Sequence, residues 1–444
     1  MYSKNIAIIG SGITGLASAW LLHKQHRVTL FEKNAYLGGH THTIDVPEQE
    51  RSIPVDTGFI VYNERNYPNL VGLFQELGIA TRDTDMSFAF SLNQGELEYA
   101  GSSLNTLFAQ RSNLLRLGHW KLLAEILRFN RTAYQLLAAP ASAQGLSLGD
   151  MLDQHRFSHD LREHYLLPMG AAIWSCPVDT MLKFPALSFL RFFANHGLID
   201  IRNRPQWKTV CGGSSTYVRK LLTEMGNSIT LQTGAIKVER DAQQASVYTH
   251  AGKQDFDAVI FACHADQALA LLAQPSEAEQ RILGCFRYEQ NRTYLHTDTA
   301  LMPRNRRVWS SWNYLATSQP DARQQMTATY WMNQLQGLQS DRHYLVTLNP
   351  YNSPRDEHIL AEMTYEHPVF DQAAVEAQAH LGSLQGQSRS WFCGSYARYG
   401  FHEDALASAV QVCRDFGVTP AWVQTSEQPP ESAPELAITG AVRA

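Results

Sequence analysis

The sequence predicts an α/β protein in which a Rossmann-type unit is interleaved with a second, α+β region of helices and antiparallel sheet. Three observations carry this. Residues 4–32 read as strand, glycine turn, helix, strand and acid, in that order. Residues 104–137 carry leucines at helical spacing. Short segments at 294–297, 309–314, 327–332 and 343–348 are rich in β-branched and aromatic residues, as strands are.

The first stretch has the most mechanism in it. Residues 5–9 have the length and β-branched content of a buried parallel strand. Gly10-Ser11-Gly12-Ile13-Thr14-Gly15 follows at once, and Leu16, Ala19, Trp20 and Leu22 then recur at helical spacing. Gly10 allows a tight turn, Gly12 lets backbone approach a pyrophosphate, and Gly15 lets helix pack closely on strand. The free N–H groups at the helix start face the phosphates, which the helix dipole also favours. Residues 28–31 form the next strand, and Glu32 ends it where an acid can accept both hydroxyls of an adenosine ribose. A glycine-rich turn of some other α/β domain would not need the strand, helix and acid in this order.

Composition narrows the rest. The 444 residues allow two or three domains, and the 44% hydrophobic and 18% charged fractions are those of an ordinary globular chain. A formal net charge of −5 without a long basic run argues against nucleic acid as a partner. No apolar run reaches the length of a transmembrane helix, and glycines interrupt the early apolar stretch that a secretory leader would need. The six cysteines are scattered without a CxxC, which points away from zinc or a disulfide framework and toward a reducing, cytoplasmic setting. No metal site is expected.

Taking the chain onward, Lys33 follows the acid, the double glycine Gly38-Gly39 lies close behind, and His40, Thr41 and Thr43 come next. Paired glycines let the chain pass close to a cofactor, and hydroxyls can bind phosphate oxygens. Residues 54–60 read as a strand and turn, with a helix over about 67–77. Residues 85–97 alternate like a strand or hairpin, with Phe88 and Phe90 opposite Ser87, Ala89 and Ser91. The predicted helix over 104–137 places Leu114, Leu115, Leu117, Trp120, Leu123, Ile126 and Leu127 at helical spacing. Residues 170–197 are dense in aromatics around Pro177 and Pro185, a pattern that suits a hydrophobic channel and core packing equally. The glycine segment at 210–217 opens another helix but lacks the GxGxxG order and a trailing acid, so it does not support a second dinucleotide domain.

The order GSGITG, Glu32, LGGHTHT and VDTGFIVYNERNYPNLVGLFQELGI resembles the flavin amine oxidases, phytoene desaturases and protoporphyrinogen oxidases, most of all the bacterial NAD/FAD-binding amine-oxidase-domain proteins. Two departures stand out. His40 occupies the place where that superfamily usually has Arg, and Gly58 is followed by Phe59 where amine oxidases usually have a second glycine. Residues 391–405 resemble the superfamily's second flavin motif: a strand ending at Gly394, a loop, and a helix beginning near His402. That helix start points N–H groups at the flavin N1 and C2 oxygen, where negative charge grows on reduction. Ser395 stands where an acid is usual.

One fingerprint at the start, a second motif at the end and no second Rossmann unit argue for FAD as the single cofactor. The expected contacts in the first loop are Gly10, Ser11, Gly12, Ile13, Thr14 and Gly15, followed by Glu32, Lys33, Gly39, His40 and Thr41. Gly58, Phe59 and Ile60 are expected beside the flavin, Gly394, Ser395, His402 and Ala405 at the second motif. The resemblance further implies that Ala235 meets adenine through its backbone and that Cys263 and His264 lie near the cofactor; Cys263 as a nucleophile is the sharper alternative. It also implies a discontinuous FAD domain (1–82, 205–275, 379–420) and a substrate domain (83–204, 276–378). Residues 424–444, rich in Pro, Glu, Ser and Ala, read as a disordered tail.

The chemistry expected is an FAD-dependent oxidoreductase that dehydrogenates or desaturates a small hydrophobic substrate, such as a fatty acyl chain or other lipid, by hydride transfer to flavin N5. An amine oxidase producing hydrogen peroxide and a non-redox double-bond isomerase are the alternatives, with a flavin scaffold lacking turnover as the blandest. His402 is the leading catalytic candidate, since it sits at the helix start that faces N1. Tyr330 is the second, with Trp331 and His296 as further pocket-wall candidates. Tyr396 and Tyr399 suggest an aromatic sandwich at a position that matches it poorly. Peripheral membrane contact is compatible with this reading, and the oligomeric state is open.

Overall fold

A computed structural model describes residues 2–200, 204–319 and 322–424. Five parallel strands build its first sheet, in the order Ile229–Thr233, Arg27–Glu32, Asn5–Ile9, Ala258–Phe261 and Ser390–Phe392. The central strand is buried on both faces, which is why it reads as an unbroken apolar run. Ile6 and Ile8 pack on one side with Leu16 and Trp20 of helix Ile13–Leu22 and Leu406 and Val410 of helix His402–Asp415. Ala7 and Ile9 pack on the other side with Val238, Val247 and Phe256, which belong to a three-stranded antiparallel meander. Each buried Val, Leu, Ile or Phe side chain among these contributes about 1.5–3 kcal/mol relative to exposure.

The glycine turn is forced by crowding. Gly10 has φ of +105°, and a Cβ there would lie 2.6 Å from the Ala262 carbonyl oxygen. A Cβ on Gly15 would lie 1.8 Å from the Gly10 carbonyl oxygen. Helix and strand therefore meet backbone to backbone.

The second sheet has seven strands, in the order Ile359–Val369, Arg287–His296, Leu345–Leu348, Ala322–Trp331, Trp312–Gln319, Phe88–Leu92 and Leu97–Ala100. The four aromatic-rich segments expected to form an antiparallel sheet do pair antiparallel, and the sheet becomes mixed where the earlier hairpin joins them. Trp312–Gln319 pairs in parallel with Phe88–Leu92, with Trp312 opposite Phe88. The reason is topological: an early hairpin joins the edge of a later antiparallel set, and no tight turn dictates their relative direction.

The predicted helix over 104–137 is broken into Leu104–Leu107, a 3-10 turn Arg111–Leu115 and the long helix Leu117–Ala138. The residues at helical spacing do not all share its buried side. His119, Leu122, Phe129, Ala133 and Leu136 face the core, whereas Leu114, Leu115, Leu117, Trp120 and Leu127 are exposed. The aromatic segment beyond forms Leu167–Trp174, Val178–Leu182 and Ala186–Asn195. Its rings pack mainly on one another, Trp174 4.6 Å from Phe192 and Phe189 4.1 Å from Phe193 between centroids. Most of the tail prediction, residues 425–444, lies outside the described residues. Among those described, no helix is long and apolar enough to cross a membrane, and no cluster of His, Cys, Asp or Glu is arranged to hold a metal.

Candidate active site

A cavity of about 1350 Å³ starts at the glycine turn and ends among aromatic side chains of the seven-stranded sheet and the helical region. At its first end the wall includes Gly10, Ser11, Gly12, Ile13, Thr14, Glu32, Lys33, Gly39, Ala235 and Cys263. Glu32 is positioned by the turn itself, because its carboxylate accepts from Ser11 N at 2.9 Å and Ser11 Oγ at 2.6 Å. The Gly38-Gly39 loop lies directly on the turn, with Gly38 N donating to Ser11 O at 3.0 Å. In front of Gly12 the space is open: a Cβ built there would meet nothing within 4 Å. Gly15 and Thr41 do not line the cavity. Gly15 is spent on helix–strand packing, and Thr41 is buried behind the wall, where its hydroxyl is bonded to Tyr217 and lies 3.0 Å from His402 Nε2. Burial pushes the Cys263 thiol up to about 12, so it stays protonated at neutral pH and is no nucleophile.

The middle of the cavity brings together segments far apart in the chain. Gly58, Phe59 and Ile60 meet Gly394, Ser395, His402 and Ala405 there. Gly58 is required by close approach, since a Cβ would sit 2.1 Å from the His40 carbonyl oxygen. His402 stacks on Phe59 with ring centroids 3.8 Å apart, and its Nε2 lies 2.9 Å from the Tyr217 hydroxyl. Burial lowers its imidazole to about 3, so it is neutral. The next two residues hold the helix start in place. Asp404 accepts from Tyr399 N and Phe401 N, and Glu403 accepts from Asn69 N and Leu70 N at the start of helix Pro68–Leu77.

Three histidines that sequence spacing did not connect sit on one wall. The His40 ring lies 5.2 Å from His367, 5.2 Å from Tyr365 and 6.3 Å from His264, between centroids. Burial lowers all three imidazoles, to about 3 in His264 and His367. His264 Nδ1 lies 3.5 Å from the Glu366 carboxylate, and His40 Nε2 is buried without a hydrogen-bond partner among the described residues. The signal for Tyr365 and His367 was their spacing of two in a strand, which puts both on one face.

The far end is apolar. Phe88, Tyr99, Met169, Ile173, Phe192, Leu198, Trp312, Tyr330 and Leu348 line it. Tyr330 lines this end edge-on to Trp312 at 4.8 Å, its hydroxyl pKa raised by burial. The other wall candidates are corrected. His296 is fully buried inside the sheet with Nε2 2.6 Å from Thr347 Oγ1, and Trp331 packs against Trp309 and His343 away from the cavity. Tyr396 lines the cavity but packs on Phe286, and the Tyr399 carbonyl accepts from Trp174 Nε1, so the two do not form a sandwich.

A parallel sheet with a glycine turn, a ribose-height acid and a second helix start on one cavity defines a dinucleotide-binding flavoprotein. A family model described as flavin-containing amine oxidoreductase matches residues 13–284. The chain belongs to that family, and FAD is its cofactor. It is 23% identical over 290 residues to the protein described as "Putative flavin-containing monoamine oxidase AofH" of Mycobacterium tuberculosis, a match spanning 62% of this chain and 60% of that one. The match thus spans less than two thirds of the curated relative. Among solved structures, putrescine oxidase bound to putrescine superposes with a TM-score of 0.66 at 15% identity, covering 93% of this chain and 99% of that chain. A CLA-producing fatty acid isomerase from P. acnes superposes with a TM-score of 0.63 at 16% identity, covering 93% and 99%. At such identities the likeness is one of fold.

Proposed function

We propose that the protein is an FAD-dependent oxidoreductase that dehydrogenates or desaturates a hydrophobic substrate. The observation that carries this reading is the apolar far end of the cavity, continuous with the glycine turn. Among the described lining residues the carboxylates are Glu32 at the turn, Glu366 facing His264, and Asp85, which accepts from Ser311 Oγ at the rim. None is placed in the aromatic chamber to hold an ammonium group.

FAD supplies the hydride acceptor. The residues proposed to hold it are those of the cavity wall. Glu32 takes the ribose hydroxyls, and the open N–H groups after Gly12 face the pyrophosphate. His40 lines the wall with an imidazole whose pKa burial lowers, so it brings no charge there. Gly394, Ser395 and Ala405 flank the helix start at His402. The roles proposed at the reacting end are modest. His402 is neutral and anchored by Thr41 and Tyr217, so it orients the wall beside Phe59. Tyr330 keeps its proton, which it donates to the Ala172 carbonyl at 3.4 Å, so it presents its ring to the chamber and cannot serve as a base at neutral pH. The apolar side chains around it exclude water from the transfer.

Amine oxidation is the second reading, favoured by the likeness to the monoamine oxidase relative and to putrescine oxidase. Anaerobic titration of the bound flavin separates them. Bleaching by fatty acids or other lipid extracts and none by a panel of amines is expected. Bleaching by amines alone overturns the hydrophobic-substrate reading, and product formation without net reduction replaces it with double-bond isomerisation.

A further inference from the structure

The helical region leaves an apolar surface uncovered. Leu115 is 90% exposed, Leu104 and Leu117 are each 78% exposed, and Leu114, Trp120 and Leu127 are about half exposed. The other exposed large apolar side chains among the described residues, such as Leu231 and Ile236, lie elsewhere in the chain. Helix Leu117–Ala138 explains the concentration. Its inward stripe runs through Leu122, Phe129, Ala133 and Leu136, and an outward stripe runs through Leu117, Trp120, Ala124 and Leu127 at steps of three and four. A helix packed on a globular core needs one apolar stripe, and a second one this size marks a contact surface.

The charges say what kind. Arg111, Arg116, Lys121, Arg128 and Arg131 are all exposed between residues 104 and 131, while Glu125, paired with Arg128, is the one acid in that span. The span is thus net positive on a chain whose net charge is −5. Leucines and a tryptophan ringed by cations match acyl chains beneath anionic headgroups, with Trp120 at the depth tryptophan prefers.

We propose that this face docks on an anionic lipid bilayer. The surface is also placed where it serves the cavity. Gly101 and Ser102 line the cavity, and the next residue, Ser103, caps the short helix that carries Leu104. Docking therefore turns one mouth of the cavity toward the membrane. The surface stands apart from the chemistry inside, and its test reads binding rather than turnover.

The test uses the full-length, FAD-loaded protein and sedimentation with vesicles of phosphatidylcholine and phosphatidylglycerol, against vesicles of phosphatidylcholine alone. Binding to the anionic vesicles, weakened by salt, is expected. Leu115→Ser/Leu117→Ser and, separately, Lys121→Glu/Arg131→Glu should each weaken it by about tenfold or more with the flavin spectrum unchanged. These side chains are exposed, so both variants keep the fold. Failure of the wild type to sediment with anionic vesicles, or wild-type binding by both variants, overturns the proposal. So does a dimer that the leucine variant converts to monomer without any vesicle binding, which would make the face a contact between two copies of this chain.

Discussion

Gly12 and Gly15 stand three residues apart in one turn, yet substituting them should break different things. Gly12 caps helix Ile13–Leu22 with φ −64° and ψ −179°, an extended conformation open to any residue. Its added Cβ meets nothing within 4 Å, so Gly12→Val should change the stability of the apoprotein by only a few tenths of a kcal/mol. The isopropyl group projects into the cavity in front of the free N–H groups of the helix start. Losing two charge-assisted hydrogen bonds to a pyrophosphate costs about 3–6 kcal/mol, or at least about a hundredfold in FAD affinity. Gly15→Ala places its methyl 1.8 Å from the Gly10 carbonyl oxygen, so the helix must shift by more than an ångström. Overpacking of that kind costs about 1–3 kcal/mol or more, against about 1 kcal/mol of helix propensity regained. Urea unfolding of the apoproteins and titration with FAD, followed by flavin fluorescence, measure the two effects separately. Stoichiometric FAD at wild-type affinity in Gly12→Val would show that the cofactor does not lie on this turn. An unaltered FAD affinity together with unaltered stability in Gly15→Ala would refute the packing.

Two further outcomes follow from burial. The folded protein keeps His402 neutral down to about pH 3, while the unfolded chain protonates it below its ordinary 6.5, so the unfolded state binds the extra proton and stability falls as pH drops between those values. His402→Gln should therefore lose less melting temperature than the wild type on acidification from pH 6.5 to 4, and parallel losses would place the imidazole in water. Iodoacetamide at mildly alkaline pH should label the exposed Cys211 first and spare the buried Cys393 and Cys413 until the chain unfolds; labelling of the half-buried Cys263 as fast as Cys211, read by mass spectrometry, would contradict its protonated state.

The parts of the site legible from residue spacing alone are those whose geometry is local, whereas the distant contacts at 58–60 and 394–405 are legible only through the family resemblance. Strand, turn, helix and Glu32 follow one another within a single βαβ unit, so their spacing alone forces the Ser11–Glu32 hydrogen bonds and the open N–H groups. The histidine wall is the opposite case. His40, His264 and His367 come from a loop, the start of helix Ala265–Leu271 and an edge strand, and nothing in their separations reveals that they share a surface. The helix Leu117–Ala138 lies between these extremes. Its periodicity reports where apolar residues recur, not which way they face, and two stripes satisfy the same period. The stripes differ in their neighbours, however. Lys121, Arg128 and Arg131 fall among the outward residues, while the inward side has only His119 and Thr132 as polar members. Burying three cations with that stripe would cost far more than burying leucines returns, so the side that carries the cations must be the side left out of the core.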